Sequence, residues 1–339
     1  MGVALGSILS SKEIDIQDLE DKKIALDAYN IIYQFLASIR QRDGKPLTDS
    51  QGNVTSHLSG LLYRNANFLM GRLKPIYVLD GEPDTMKEGT LEKRKMRKEE
   101  AEKEYEIALE EGDIERARTK AQQTSRMSKD IVQSSKKLLE LMGIPWVQAP
   151  AEGEAQAAYM VIKGDAWTVG SQDFDSLLCG APRLVRNLTI TGKRKMPGRK
   201  EYKDIVPEII VLDKALDELN ITREQLVDIA LLCGTDYNEG IKGIGPKRGL
   251  KKVKKMGNLK EVLKDEEKNI GNYPAIKKLF LEPTVSDDYR VSFCEPDVKG
   301  MIDFLCGERD FSESRVRDLM DKIMNSGGKE KQADLFSFG

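Results

Sequence analysis

A single histidine, His57, in 339 residues leaves almost no room for a catalytic triad or a histidine-built zinc site. Its setting in Val54-Thr55-Ser56-His57-Leu58 predicts a helix-start residue. The four cysteines, Cys179, Cys233, Cys294 and Cys306, show no CxxC spacing. Neither a disulfide framework nor a cysteine zinc site is indicated, and a reducing, intracellular setting is expected. No apolar run is long enough to cross a bilayer and the first residues lack a signal-peptide pattern, so no membrane association is expected. Net charge is also nearly absent, at −2, and by itself argues for no partner. The sum hides segregation, because 32% of the chain is charged and its acids and bases gather in different places. The length suits one large or two ordinary domains with a substantial core.

The acids carry the first chemical signal. Asp27 ends the run Lys23-Ile24-Ala25-Leu26, and Asp80 ends Pro75-Ile76-Tyr77-Val78-Leu79. Glu152 and Glu154 flank Gly153, Asp173 and Asp175 follow Ala166-Trp167-Thr168-Val169, and Asp236 lies in Gly234-Thr235-Asp236-Tyr237. For any one acid, as for Asp165 or Asp217, a cap or a solvated charge is the ordinary explanation. Seven beside separate apolar runs or in short turns point instead to convergence at the carboxyl ends of strands, where an α/β sheet places its ligand crevice. Converging like charges need a cation to keep them ionised. Carboxylates suit Mg²⁺, which keeps several waters, and seven of them suggest two ions with a water-mediated outer shell. Two such ions about 4 Å apart can activate water and stabilise both the attacking and the leaving oxygen of a phosphodiester.

The hydrophobic pattern predicts an α/β fold, with a mostly parallel central sheet flanked by helices. Residues 1–83 form the first part of this core, with helices expected over Ile31 to Ile39 and Leu58 to Leu73. Residues 84–130 change character: Thr90 to Glu111 alternates Lys/Arg with Glu, breaks at Gly112-Asp113, and a second charged helix is expected toward Lys129. Lacking a continuous apolar stripe, these helices read either as a solvated hairpin held by ion pairs four residues apart or as an arch over the active site. Residues 131–220 return to the core pattern, and strands are expected over 183–212 around a loop at 191–200. Residues 221–325 read as helical, and 326–339 as a flexible tail.

The bases form a second signal. In Gly243-Ile244-Gly245-Pro246-Lys247-Arg248-Gly249, a glycine turn opens a helix with its backbone amides exposed, a suitable phosphate site. Lys251, Lys252, Lys254 and Lys255 continue the positive charge with no acid between, a sequence-independent grip on a nucleic-acid backbone. The rival is an ordinary helix–turn–helix with a basic exposed face. Lys87 and Arg94, about two helical turns apart, read either as neutralisers of a scissile phosphate or as solvated charges. The loop Lys193 to Lys203, around Tyr202, reads as a duplex contact or a hairpin tip.

Taken together, these motifs resemble the structure-specific 5′ nucleases, and within them the flap endonucleases of archaeal and eukaryotic type. The resemblance rests on Leu26-Asp27-Ala28, Val78-Leu79-Asp80-Gly81, Ala149-Pro150-Ala151-Glu152-Gly153-Glu154-Ala155, Gln172-Asp173-Phe174-Asp175, Gly234-Thr235-Asp236-Tyr237 and Gly243-Ile244-Gly245-Pro246-Lys247-Arg248. It spans Met1 to about Asp321. The resemblance implies removal of 5′ flaps in lagging-strand replication and long-patch repair, with 5′ exonuclease activity on the side. It implies that the seven acids hold two Mg²⁺, with Mn²⁺ as a substitute, and that Lys87 and Arg94 are the catalytic basic pair. The insertion becomes the helical gateway for the 5′ strand. Tyr33 becomes a base-stacking residue (otherwise a helix-face core tyrosine), and Arg40 joins it on the DNA-binding surface. The C-terminal helical region becomes a helix–two-turn–helix that holds duplex, with Gly243, Gly245, Lys247, Arg248, Lys251 and Lys252 at the contact and a K⁺ at the turn. A monomer is implied, nucleoid-associated in the cytoplasm for an archaeal member.

The tail departs from the family's sliding-clamp motif. Gln332, Leu335 and Phe338 fit it, but Gly339 takes the last aromatic position, which predicts weaker binding to a clamp of the proliferating cell nuclear antigen type. Two rivals stand beside flap cleavage. One is a 5′-to-3′ exonuclease of the same superfamily. The other is a non-catalytic junction scaffold, which the intact acid set opposes.

Overall fold

The computed structural model describes residues 3–82, 85–111, 113–189, 193–195 and 202–327. Its centre is a seven-stranded sheet: β1 (Lys12–Glu13), β2 (Lys23–Asp27), β3 (Lys74–Leu79), β4 (Trp146–Gln148), β5 (Thr168–Gly170), β6 (Arg183–Arg186) and, after the separate hairpin β7 (Lys193–Lys195) and β8 (Tyr202–Asp204), β9 (Glu208–Val211). The order is β1-β9-β6-β5-β2-β3-β4. Strands β4, β3, β2, β5 and β6 run parallel; at one edge β9 pairs antiparallel with β6, and β1 antiparallel with β9. From β2 the chain builds outward to β3 and β4, then returns to add β5 and β6 on the other side. The topological switch point therefore lies between β2 and β5, where such sheets open their ligand crevice.

Strand period explains why the central strands carry apolar residues on both faces. Ala25, Ile76, Val78, Val147 and Val169 enter one core, whereas Ile24, Leu26, Tyr77 and Leu79 enter the other. Successive side chains alternate faces, so a sheet covered on both sides needs apolar residues at every position. Helices α1 (Ala28–Ser38) and α2 (Ser56–Met70) line the second core; α1 starts three residues before the pattern suggests because Asp27 caps it. The buried Tyr77 hydroxyl donates to Asn65 Oδ1 at 2.9 Å, which satisfies a polar group that burial would otherwise penalise.

The charged insertion folds as α3 (Glu88–Glu110) and α4 (Ile114–Ala121). The second helix stops at Ala121 instead of running toward Lys129, and residues 122–128 are not helical. The expected lack of an apolar stripe is corrected in one respect. Ala101, Ala108, Ala117 and Ala121 are buried, an alanine seam at helical spacing that a search for large apolar residues passes over. Ion pairs also span the hairpin, Lys120 to Glu104 at 2.5 Å and Arg126 to Glu102 at 2.7 Å, beyond the four-residue spacing expected.

Helix α5 (Lys129–Leu141) leads to β4, α6 (Gly153–Lys163) to β5, and α7 (Asp175–Leu178) to β6. Beyond the sheet come α8 (Leu212–Leu219), α9 (Arg223–Cys233), α10 (Pro246–Met256), α11 (Leu259–Asp265), α12 (Tyr273–Leu281), α13 (Val298–Ile302) and α14 (Glu313–Gly327). The C-terminal region is not continuously helical: 282–297 is an extended strap along α6. Gln156 on α6 is fully buried and exchanges two hydrogen bonds with the Ser286 backbone, at 2.9 and 2.8 Å, and Tyr159 donates to Asp287 at 2.9 Å. The loop expected at 191–200 contains β7. His57 is buried with Nε2 2.8 Å from Ser134 Oγ, a core residue, and all four cysteines are free. Among the described residues no helix is long and apolar enough to cross a membrane. Gln332, Leu335 and Phe338 lie outside the described residues.

Candidate active site

Each of the seven acids is fixed by its place on an element. Asp27 closes β2 and caps α1, accepting the Asn30 amide at 3.0 Å. Asp80 follows β3 directly and accepts the Gly153 amide at 2.7 Å. A Cβ on Gly153 would stand 2.6 Å from that Asp80 oxygen, so glycine is what lets the turn between Glu152 and Glu154 close on Asp80. Glu152 is the N-cap residue of α6 and Glu154 lies in its first turn, where the helix dipole favours negative charge. Ser171 Oγ, just past β5, donates to Glu154 at 3.0 Å and accepts the Asp173 amide at 3.2 Å. Asn30 Nδ2 donates to Asp173 at 3.0 Å, and the Val3 amide donates to Asp175 at 3.1 Å. Asp236 stands in a turn after α9, pinned by Thr235 N to Asn238 O at 2.9 Å and Thr235 Oγ1 to Asn238 Oδ1 at 2.8 Å.

These carboxylates feel one another. Burial, then the charge of Asp80, pushes Asp27 up to about 8, with Asp173 and Asp175 adding to the rise. Asp80 is pushed up to about 6 by burial, against the Gly153 amide that lowers it, with Glu152 and Asp236 adding to the rise. Asp175 is likewise pushed up to about 6 by burial, and then by Asp173 and Asp236. Burial, then Asp175, Asp27 and Asp173, hold Glu154 well above the usual carboxylate range. All seven thus belong to one electrostatic network around the β2/β5 switch point. As the side chains stand, no three acid, histidine or cysteine groups among the described residues form a ready-made metal cage. An oxygen-only set of mutually repelling, spread carboxylates fits a hard cation that keeps several waters, and fits it better than a closed protein cage would.

Lys87 lies in the short 3₁₀ turn Thr85–Lys87 at the foot of α3 and ion-pairs with Glu152. Its burial lowers its pKa, but Glu152, then Asp236 and Asp80, outweigh that and raise it, so the ammonium is held charged. Arg94 falls within α3, seven residues on; its side chain lies outside the described residues. Tyr33 on α1 is half-buried with Lys98 of α3 5.0 Å from its ring centroid. Arg40 reaches inward, donating to Leu36 O at 2.9 Å, Gly44 O at 2.8 Å and Ser125 Oγ at 2.8 Å.

The glycine turn sits between α9 and α10. Gly245 is the N-cap residue of α10 and Pro246 opens the helix. Gly243 has φ +86°, and added Cβ atoms at Gly243 and Gly245 would meet nothing within 4 Å, so this backbone is open to a ligand. Lys247 and Lys251 are exposed and share a face by their four-residue spacing. Lys252 instead pairs with Asp265 at 3.2 Å and with Glu266, and Arg248 approaches Glu266 at 3.5 Å.

Sequence reasoning missed Asn30, Ser171 and Val3, which hold the acids without belonging to them. An asparagine in the first turn of the apolar helix α1 was a usable signal; the Val3 amide gave none. It also missed Tyr237, 150 residues from Lys87 and now under its ammonium.

The chain and its fold have close counterparts. Residues 1–101 match the XPG N-terminal domain and residues 143–236 the XPG I-region. The chain is 53% identical over its full length to flap endonuclease 1 of Pyrococcus abyssi, covering 98% of that protein. Its structure is similar to flap endonuclease-1 from Methanococcus jannaschii, with TM-score 0.76 and 44% identity over 97% of this chain and all of that one. The catalytic core of Rad2, solved in complex with a DNA substrate, shares the fold at TM-score 0.70 and 22% identity, over 94% of this chain and 97% of that one.

Proposed function

This chain belongs to the flap endonuclease 1 family and is a structure-specific flap endonuclease of DNA replication and repair; we propose that it hydrolyses a phosphodiester near the junction of single strand and duplex at the seven-carboxylate cluster, leaving 5′-phosphate and 3′-hydroxyl ends. The observation that carries this reading is the convergence of the acids: Asn30 holds both Asp27 and Asp173, Ser171 joins Glu154 to the Asp173 amide, and the Gly153 amide ties Asp80 between Glu152 and Glu154. The family is divalent-metal dependent, and two Mg²⁺ (or Mn²⁺) held by these acids would supply an activated water and charge neutralisation at the phosphate.

The chain's own residues do the rest. The backbone amides of Asn30, Gly153 and Val3 and the side chains of Asn30 and Ser171 hold five of the acids in register. Lys87, kept charged beside Glu152, offers its ammonium to the scissile phosphate, and Arg94 joins it from α3. Tyr33 stacks on the base next to the cut, Arg40 supports that surface from within through its bonds to Gly44 and Ser125, and the 5′ strand passes under the arch of α3 and α4. The amides of Gly243 and Gly245 and the exposed Lys247 and Lys251, with Arg248 and Lys252 behind them, take the duplex backbone. The family resemblance adds a K⁺ at that turn, a monomer on DNA inside the cell, 5′ exonuclease cleavage as a side activity, and a sliding clamp held by Gln332, Leu335 and Phe338.

Cleavage of a labelled double-flap substrate, compared with nicked and blunt duplexes in Mg²⁺ or EDTA, tests the reading. Incision at the flap junction in Mg²⁺ only is expected. Metal-independent incision, or none at the flap, would sink it. Truncation before Gln332 should spare basal cutting and remove stimulation by the clamp.

A further inference from the structure

Tyr237 neighbours Asp236, yet the proposed chemistry gives it no task. Lys87 Nζ lies 5.0 Å from the centroid of its ring, within cation–π range, while the same ammonium pairs with Glu152. The ring is itself braced: it stands edge-to-face on Phe280 of α12, with centroids 5.6 Å apart and planes at 84°. Its backbone is fixed too. The Tyr237 amide donates to Thr235 Oγ1 at 3.0 Å, and Asn238 Nδ2 donates to Leu231 O at 2.8 Å. A Cβ on Gly240 would lie 2.4 Å from Gly234 N, so the two glycines close residues 234–240 into a tight loop. The residue before Lys87 is held from the same side, with Asn272 Nδ2 3.7 Å from Met86 Sδ.

A lysine carries a flexible four-carbon stem rich in rotamers, so it positions a charge poorly unless its surroundings confine it. Here the side chain is only 14% exposed and bounded by a carboxylate and an aromatic face. We propose that Tyr237 is a positioning residue whose ring face holds Lys87 at the carboxylate site. The inference rests on the reading of Lys87 as the cation at the scissile phosphate. It extends that reading, because loop 234–240 carries Asp236, braces Lys87 through Tyr237, and runs within three residues into the turn at Gly243 to Gly245. One rigid segment thus aligns an acid, a catalytic cation and the duplex contact.

The test compares wild type, Tyr237→Leu, Tyr237→Phe, Lys87→Ala and the double variant Lys87→Ala/Tyr237→Leu. Each is assayed on a double-flap substrate by single-turnover rate at saturating enzyme, with DNA affinity and melting temperature measured in parallel. Tyr237→Leu should slow cutting roughly five- to thirtyfold with DNA affinity unchanged, the range a cation–π contact supports. Tyr237→Phe, which keeps the ring face, should restore most of the rate. In the Lys87→Ala background the leucine should cost nothing more, because the group it positions is gone. A wild-type rate for Tyr237→Leu, or the same fold-loss with and without Lys87, overturns the inference. A wild-type rate for Lys87→Ala would instead remove the reading of Lys87 on which it rests.

Discussion

At the carboxyl ends of β2, β3 and β5, negative charges are buried or half-buried and crowd one another; along α10, positive charges stand in solvent and two of them lean on acids at the end of α11. The acids keep their places through backbone amides and short side-chain donors, each a specific contact. Lys247 and Lys251, the bases that face solvent, stand exposed on one side of the helix. Buried like charges raise one another's pKa and store repulsion that a cation relieves. Exposed bases cost little to hold and each adds a small, salt-screened attraction. The two regions should therefore fail differently: damage to the acids removes chemistry and leaves binding, and damage to the bases weakens binding and leaves chemistry.

The largest effect belongs to the acids. Asp175→Ala should lower the single-turnover rate by roughly a thousandfold or more while DNA affinity holds. Normal cutting would remove Asp175 from the catalytic set. Next comes Asn30→Ala, which frees Asp173. A loss of about ten- to a hundredfold in rate or in Mg²⁺ affinity is expected, as for partners that orient a metal ligand. An unchanged Mg²⁺ dependence would show that Asp173 needs no such hold. On the other side of the comparison, Lys247→Ala with Lys251→Ala should weaken DNA binding alike across sequences and flatten the slope of log affinity against log salt by about two. If the rate at saturating enzyme falls instead, α10 is doing more than gripping.

Much of this contrast was legible in the sequence, for a physical reason. A parallel strand covered on both faces is an apolar run, so an acid at its end, such as Asp27 or Asp80, stands out against it. The glycine between Glu152 and Glu154 and the turn at Gly243 and Gly245 were likewise visible, because backbone that must be approached closely excludes side chains. The strap at 282–297 was not. It has no period of its own and is held by distant partners, Gln156 and Tyr159, that nothing local announces. The alanine seam of α3 and α4 was hidden because alanine counts little in any apolar pattern. Lys87 and Tyr237 were unreadable as a pair, since only the fold brings them together.

The smallest effect lies far from both regions. Burial, then Arg309, pushes His57 down to about 3, against 6.5 for an ordinary imidazole. The folded protein thus keeps it neutral while the unfolded chain protonates it. Its contribution to stability is complete above pH 6.5 and is lost as pH falls from there toward 3. Urea unfolding at pH 7, 6 and 5 should show wild type losing up to about 1.4 kcal/mol per pH unit more than His57→Gln. Parallel profiles would mean the imidazole titrates freely.

The central claim is that the seven acids form a repelling site completed by a divalent cation. Raised carboxylates bind protons more tightly folded than unfolded, so their stabilising effect is complete below pH 4 and lost as pH rises through about 6 for Asp80 and Asp175 and about 8 for Asp27. The most direct measurement is the melting temperature from pH 6 to 8.5, in EDTA and in Mg²⁺, for wild type and Asp27→Asn. In EDTA, wild-type melting should fall as pH rises, Mg²⁺ should raise it more at pH 8 than at pH 6, and Asp27→Asn should flatten the fall. A Mg²⁺ effect that is absent, or equal at every pH and in both proteins, would contradict the account.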